Sequence, residues 1–149
     1  MPRTPSRSTT REARKPAEPV SLSGDDALQK IRKLLDDFRS AMLTTLESAE
    51  FLADPRLRWR VPPSTSPGDP AFRARSYWRG PTWPVLTWLC WWALKRDGED
   101  ALADSLREAS LDQIATVGFA EYVEPFTGDP LGSLDQSWTA AVAIDWLSA

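Results

Sequence analysis

Residues 77–84 read YWRGPTWP, and this stretch decides how the chain divides into structural elements. It places three aromatic rings and an arginine around a Gly-Pro step, and its last proline opens an apolar segment that runs to Leu94. Proline suits the first turn of a helix, because a backbone N–H has no partner within the helix at that position. We therefore predict a loop that ends at Trp83 and a helix that begins at Pro84.

Four segments have the apolar spacing or the capping residues of a helix. They cover residues 25–50, 84–95, 99–116 and 136–149, approximately. The first carries an apolar stripe made of Leu28, Ile31, Leu35, Phe38 and Met42. The second is apolar nearly all round, so we expect it to be buried on several sides. No segment alternates as a strand does, and the sequence therefore predicts an all-α fold.

Two long irregular segments separate these helices. Pro and Gly interrupt residues 51–83 and residues 118–135, and neither segment keeps a helical period. One precedes the second helix and the other precedes the fourth, so in an up-and-down arrangement both loops emerge at the same end of the helices. Long ordered loops in a compact domain are often functional. We expect the functional face at this shared end.

Residues 1–24 differ in composition from the rest of the chain. Pro, Arg, Ser and Thr dominate there, and no apolar period appears. A segment of this kind cannot bury enough apolar surface to fold. We predict a disordered basic tail over residues 1–24 and a single domain with a modest core over residues 25–149.

The residue types that are missing narrow the possible chemistry. The sequence has no histidine and a single cysteine, Cys90, which lies in an apolar run. These absences exclude a histidine-based catalytic triad, an internal disulfide and the usual zinc site. We expect no metal and no cofactor, so catalysis would fall to carboxylates, with Arg, Tyr and Trp binding the substrate.

Charge and hydropathy narrow the possible partners. The net charge is -3 and the pI is about 5.0, whereas nucleic-acid binding needs clustered Lys and Arg. The most apolar run, residues 85–94, is too short to span a bilayer, and no apolar core follows the basic N-terminal residues. We expect neither a nucleic-acid nor a membrane partner, and a cytoplasmic location.

Eight tryptophans are many for a chain of 149 residues. Core packing is the ordinary use of this side chain, and we assign Trp91, Trp92 and Trp146 to the core. Tryptophan also stacks on sugars, because its broad apolar face matches the C–H face of a pyranose and its N–H can bond a hydroxyl. We expect Trp83 and Trp138 to serve partly as core and partly as the wall of a sugar site.

Both long loops place aromatic and charged side chains beside Gly and Pro. In the first loop, Arg79 offers donors for hydroxyls or clamps loop carbonyls, and Gly80 would let the backbone approach a ligand. In the second loop, Glu121 and Glu124 flank Tyr122, and a carboxylate among aromatic rings can act as a general base. These residue types suit a sugar-binding active site. The expected substrate-binding residues are Tyr77, Trp78, Arg79, Gly80, Trp83, Tyr122 and Trp138.

The order and spacing of these motifs resemble the C-terminal part of the catalytic domain of glycoside hydrolase family 63, with its mannosylglycerate and glucosylglycerate hydrolases. The most specific match is the YWRGP run followed by Trp83-Pro84. The pair Glu121-Tyr122 and the run SWTAA at residues 137–141 follow in the family's order. The chain is similar, more distantly, to trehalases and to glycogen-debranching amylo-α-1,6-glucosidases.

The resemblance implies an (α/α)6 toroid, of which the predicted helices would be one part, and hydrolysis of α-glycosidic bonds with inversion. In such a reaction one carboxylic acid protonates the leaving oxygen, and a second carboxylate activates water on the opposite face of the sugar. The family's general base falls on Glu121. Its general acid is an Asp of an upstream segment that has no match in this chain. Glu124 would approach the sugar from the same side as Glu121, so it is not expected to replace that acid.

Three interpretations stay open at this point. The first is a truncated glycosidase that carries the general-base side of the site and acts on an oligosaccharide or a small glycoside. The second is a non-catalytic carbohydrate-binding remnant. The third is a subunit that complements a separate N-terminal half, or that self-associates to cover its apolar helices.

Overall fold

A computed structural model describes residues 23–148 of the chain. Four helices dominate these residues, as predicted, and a hairpin of two very short strands was not predicted. The elements are α1 (Gly24–Glu47), α2 (Pro84–Asp97), α3 (Asp100–Val117), β1 (Tyr122–Val123), β2 (Pro130–Leu131) and α4 (Ser137–Ser148). The tail predicted for residues 1–24 falls almost wholly outside the described residues.

The first helix begins at a cap formed by Ser23. Its hydroxyl oxygen accepts the N–H of Asp26 at 3.2 Å and donates to the Asp26 carboxylate at 2.7 Å. The chain groups into two compact units whose boundary lies within α1, between Asp36 and Asp37. α1 buries none of its residues. Each member of its predicted apolar stripe is more than half exposed.

The main core lies among α2, α3 and α4. Trp91 and Leu94 of α2, Leu106 of α3, and Val142 and Trp146 of α4 are buried in one cluster. Gly98 ends α2 in the left-handed conformation, with φ of 81°, and its N–H bonds the carbonyls of the last turn. α3 begins two residues later, so the connection between α2 and α3 is a tight one.

The outer sides of α2 and α4 are exposed within residues 23–148. Leu89 of α2 and Ile144 and Leu147 of α4 are exposed apolar side chains. Trp92, which the sequence assigned to the core, is 44% exposed, and the Arg96 guanidinium lies over its ring at 4.7 Å. The prediction that α2 is buried on several sides is therefore wrong for this part of the chain. None of the helices within residues 23–148 is long and apolar enough to cross a membrane.

A buried backbone bridge joins the two long loops. Thr82 and Val123 each donate an N–H to the other's carbonyl, at 2.9 Å in both directions. The Gln113 amide, from α3, donates to the Thr82 hydroxyl at 3.1 Å. All three residues are at most 2% exposed. Pro63 also pairs with Thr82, so the loops form a small irregular ladder that continues into the hairpin of β1 and β2.

The packing of Leu106 gives a stability prediction. Leu106 is fully buried among α2, α3 and α4, whereas Leu147 is 75% exposed. Leu106→Ala should lower the free energy of unfolding by about 2–5 kcal/mol, because it removes buried methyl groups and leaves a cavity. Leu147→Ala is the matched control and should cost much less. Urea unfolding followed by tryptophan fluorescence measures both variants, and equal losses would contradict the assigned core.

Candidate active site on the two long loops

The two long loops meet at one end of the helices, as the sequence predicted. Besides the Thr82–Val123 bridge, the Arg58 N–H donates to the Pro125 carbonyl at 2.9 Å. Further along, the Arg75 guanidinium pairs with the Asp129 carboxylate at 2.6 Å. This contact holds the pKa of Asp129 below its ordinary value. Because these hydrogen bonds and this ion pair join the two loops, the loops form one surface.

A stack of aromatic rings lies at the centre of this surface, with Trp83 inside it. Trp78 covers one face of Trp83 at a centroid distance of 3.9 Å, and Tyr122 covers the other face at 4.6 Å. Tyr77 meets Trp83 edge-on at 4.8 Å. Trp83 is 0% exposed, and its ring N–H donates to the Tyr77 carbonyl at 3.2 Å. Trp83 therefore offers no face to a sugar, in contrast to the expectation, and it supports the rings on either side.

Of the aromatic residues expected to bind substrate, Tyr77, Trp78 and Trp138 are exposed. Trp78 is 50% exposed, and because Trp83 covers one of its faces, its outer face is the accessible one. Trp138, in the first turn of α4, is 40% exposed. An accessible indole face has the shape and polarity to stack on a pyranose.

The Glu121 carboxylate is held from two sides. The Tyr77 hydroxyl donates to its Oε1 at 3.0 Å, and the Ser133 backbone N–H donates to its Oε2 at 3.1 Å. The Glu121 N–H in turn donates to the Ser133 carbonyl at 2.7 Å. Glu121 is half-buried, so its carboxylate is oriented while part of the side chain stays accessible. An oriented, accessible carboxylate can accept a proton from a water molecule.

Glycine at position 132 makes this arrangement possible. Gly132 has φ of 72°, a conformation that other residues rarely adopt. A Cβ atom there would lie 2.5 Å from the Glu121 Oε2 atom and 2.6 Å from the Tyr122 ring. Any side chain at this position would displace the carboxylate.

The hydrogen bond to Glu121 also changes the pKa of Tyr77. It is the main reason that the pKa of the Tyr77 phenol is raised, and desolvation and the negative charge of Glu121 act in the same direction. The phenol therefore remains a protonated donor to the carboxylate throughout the ordinary pH range.

The other expected carboxylate, Glu124, points away from the accessible surface. It is 4% exposed, and its Oε2 accepts the backbone N–H groups of Phe126 and Thr127. These bonds organise the turn between β1 and β2. Glu124 is therefore a structural residue of the loop.

The structure accounts for Gly80 differently from the expectation, and it removes one of the two roles considered for Arg79, the clamp on loop carbonyls. A Cβ atom at Gly80 would lie 2.6 Å from the Arg73 carbonyl oxygen, so packing within the loop explains this glycine rather than approach to a ligand. The Arg79 backbone carbonyl accepts the Arg73 N–H at 2.6 Å. The Arg79 side chain is exposed and makes no hydrogen bond within residues 23–148, so its guanidinium clamps no carbonyl there.

Sequence reasoning missed Ser133 and Gln113. Ser133 contacts Glu121 through its backbone, so no side-chain pattern could mark it. Gln113 lies on the buried side of α3, but its bond to Thr82 depends on the tertiary packing of a loop. Residues 23–148 contain no cluster of three or more side chains that could hold a metal ion.

The sequence model of one family, described as the mannosylglycerate hydrolase MGH1-like glycoside hydrolase domain, matches residues 27–139. The chain belongs to this family. The glucosylglycerate hydrolase of Mycolicibacterium hassiacum is 52% identical over 111 residues, which is 74% of this chain and 25% of that enzyme. The mannosylglycerate hydrolase of Thermus thermophilus is 36% identical over 66% of this chain and 25% of that enzyme.

Solved structures show the same fold. A GH63 mannosylglycerate hydrolase of Thermus thermophilus in complex with glucose superposes with a TM-score of 0.64 and 34% identity, covering 73% of this chain and 27% of that one. The same enzyme in complex with Tris and D-glycerate superposes with a TM-score of 0.58 over 62% of this chain and 22% of that one. The four helices thus correspond to part of an (α/α) barrel. The chain spans about a quarter of the length of the curated relatives that it matches.

The contact between Tyr77 and Glu121 gives a titration prediction. Glu121→Ala should lower the pKa of Tyr77 toward its ordinary value of about 10, because the phenol loses its acceptor and the nearby negative charge. Tyr122 is the other tyrosine of the chain, so the experiment uses a Tyr122→Phe background, and tyrosinate absorbance against pH measures the pKa of Tyr77 alone.

The sign of the linked stability effect follows from the raised pKa. The stabilisation that the Tyr77–Glu121 contact gives to the folded state is fully present below the unfolded-state pKa of Tyr77. It is lost as the pH rises through the folded-state pKa.

Asp135→Ala, on the same loop, is the control for the titration and should leave the pKa of Tyr77 unchanged. An unchanged titration in Glu121→Ala would mean that the hydrogen bond does not form in solution.

Proposed function

We propose that this chain provides the general-base side of an inverting glycosidase site that acts on α-glucosides or on glucosylglycerate- and mannosylglycerate-like substrates. The observation that carries the proposal is the Glu121 carboxylate, which Tyr77 and Ser133 hold in place while part of the side chain stays accessible. Family membership supports it, because the relatives named above are hydrolases of these glycosides.

Glu121 would act on water rather than on the sugar. In an inverting mechanism the base carboxylate takes a proton from a water molecule as that water attacks the anomeric carbon. The Tyr77 hydroxyl and the Ser133 N–H fix the position of the carboxylate, so it need not reorganise during the reaction. A base that is already oriented contributes its rate factor without an entropic cost at the transition state.

The rest of the expected binding site would form a wall for the sugar ring. The outer face of Trp78 would stack on the pyranose, and Trp138 would close a second side. Arg79, whose guanidinium is exposed, would donate to sugar hydroxyls. Tyr122 and Trp83 would act indirectly, by holding Tyr77 and Trp78 in place through their stacked rings.

The general acid would come from another part of the barrel. The two carboxyl groups of an inverting enzyme stand about 6.5–9.5 Å apart on opposite faces of the sugar. The Glu124 carboxylate accepts backbone N–H groups of its own turn, so it cannot reach the opposite face of the sugar. We propose that helices equivalent to the remaining three quarters of the relatives supply the acid and cover the exposed apolar sides of α2 and α4. The expected cytoplasmic location stays a prediction.

Reconstitution tests this proposal. The chain is mixed with a form of the Mycolicibacterium hassiacum glucosylglycerate hydrolase from which the matching region has been deleted, and hydrolysis of glucosylglycerate and mannosylglycerate is measured. We expect turnover by the mixture and little by either part alone. Glu121→Gln should lower kcat about 10²–10⁴-fold, because the amide cannot accept the proton. Glu108→Gln, on the exposed side of α3, is the matched control and should retain turnover.

The same experiment, together with calorimetry and light scattering, separates the alternatives. Full turnover by Glu121→Gln would overturn the assignment of the base. Robust turnover by the isolated chain would show that it contains its own acid. Calorimetric titration that detects sugar binding without any turnover would favour a non-catalytic carbohydrate-binding role, which the accessible face of Trp78 also allows. Light scattering that shows a homodimer would favour self-association over complementation.

A further inference from the structure

The turn between β1 and β2 is built around the carboxylate of Glu124. Its Oε2 accepts the N–H of Phe126 at 2.8 Å and also the N–H of Thr127. Two backbone bonds close the same turn: the Glu124 N–H donates to the Asp129 carbonyl, and the Gly128 N–H donates to the Glu124 carbonyl, both at 3.0 Å. A buried carboxylate that accepts two backbone N–H groups of its own turn fixes the length of that turn.

The turn determines the register of the hairpin. Tyr122 lies opposite Leu131, and Val123 lies opposite Pro130. Beyond these pairs, Glu121, one residue before Tyr122, and Ser133, two residues after Leu131, exchange the backbone bond and the carboxylate bond described above. A slip of one residue would reverse the side-chain orientation of a strand and take the Ser133 N–H away from the carboxylate.

We propose that Glu124 is a positioning residue for Glu121. By fixing the turn between β1 and β2, it sets the register that brings the Ser133 N–H to the Glu121 carboxylate. The inference rests on the proposed function only where it treats Glu121 as the general base. Glu124 is too deeply buried to touch a substrate, so it acts through the hairpin alone.

Gly132 shows why the register has to be exact to one residue. The space beside the Glu121 Oε2 atom admits no Cβ, and the local backbone conformation favours glycine. In a slipped hairpin Leu131 or Ser133 would occupy this place and force the carboxylate and the Tyr122 ring to move. The hairpin therefore tolerates one register, and the Glu124 turn selects it.

The test uses Tyr77 as a reporter of the Glu121 position, so it needs no catalysis. In the Tyr122→Phe background, the pKa of Tyr77 is measured by tyrosinate absorbance in Glu124→Ala and in Glu124→Gln. Glu124→Ala should bring the pKa of Tyr77 back toward about 10, because the carboxylate is no longer held against the phenol. Glu124→Gln should keep it raised, because both backbone N–H groups bond a single oxygen that glutamine can supply.

Each outcome decides the proposal. The proposal would be overturned if the pKa of Tyr77 stayed raised in folded Glu124→Ala. It would also be overturned if Glu124→Gln lowered this pKa as much as Glu124→Ala does. If Glu124→Ala does not fold, Glu124→Asp withdraws the oxygens by one methylene and should give the same shift. Failure of both variants to fold would assign Glu124 to the fold as a whole and would also overturn the proposal. In the reconstituted enzyme, Glu124→Ala should lower kcat more than it raises KM. Absence of turnover in every form would sink the proposed function and leave the Tyr77 result standing.

Discussion

Two backbone hydrogen bonds between Thr82 and Val123 join the long loops, and the geometry of the site follows from them. Both residues are buried, so separating the loops would leave backbone N–H and carbonyl groups unpaired away from water, at about 1–3 kcal/mol for each group. Gln113 bonds the Thr82 hydroxyl and thereby ties the bridge to α3. This bond connects the core of the helices to the arrangement of the loops.

The aromatic stack is a consequence of this bridge. In an antiparallel pairing of Thr82 with Val123, the next residue of one loop lies opposite the preceding residue of the other. Trp83 is thus placed against Tyr122, and the two rings stack at 4.6 Å. Trp78 then stacks on the other face of Trp83, and Tyr77 reaches Glu121. Local backbone pairing therefore positions the side chains that would bind a sugar and activate water.

Much of the fold was predictable, because it depends on local signals. Pro84 and Gly98 mark the ends of α2, and Gly118 marks the end of α3, so these helices were placed within a few residues. The pairing of the loops at one end followed from their order in the chain. The hairpin was missed, since strands of two residues show no alternation, and Trp92 was misplaced, since apolar composition does not reveal which face has a neighbour. Trp83 was expected to form part of a sugar wall, and only tertiary packing shows that both of its faces are covered.

Amide hydrogen exchange at Thr82 and Val123 tests the central claim most directly, namely that the loops form one unit with the helical core. If the bridge is part of the cooperative core, these two amides should exchange as slowly as those of buried residues in α3, such as Leu106 and Ile114. Exchange of Thr82 and Val123 at the rate of exposed loop amides, with α3 still protected, would contradict the claim and would leave Glu121 without a defined position.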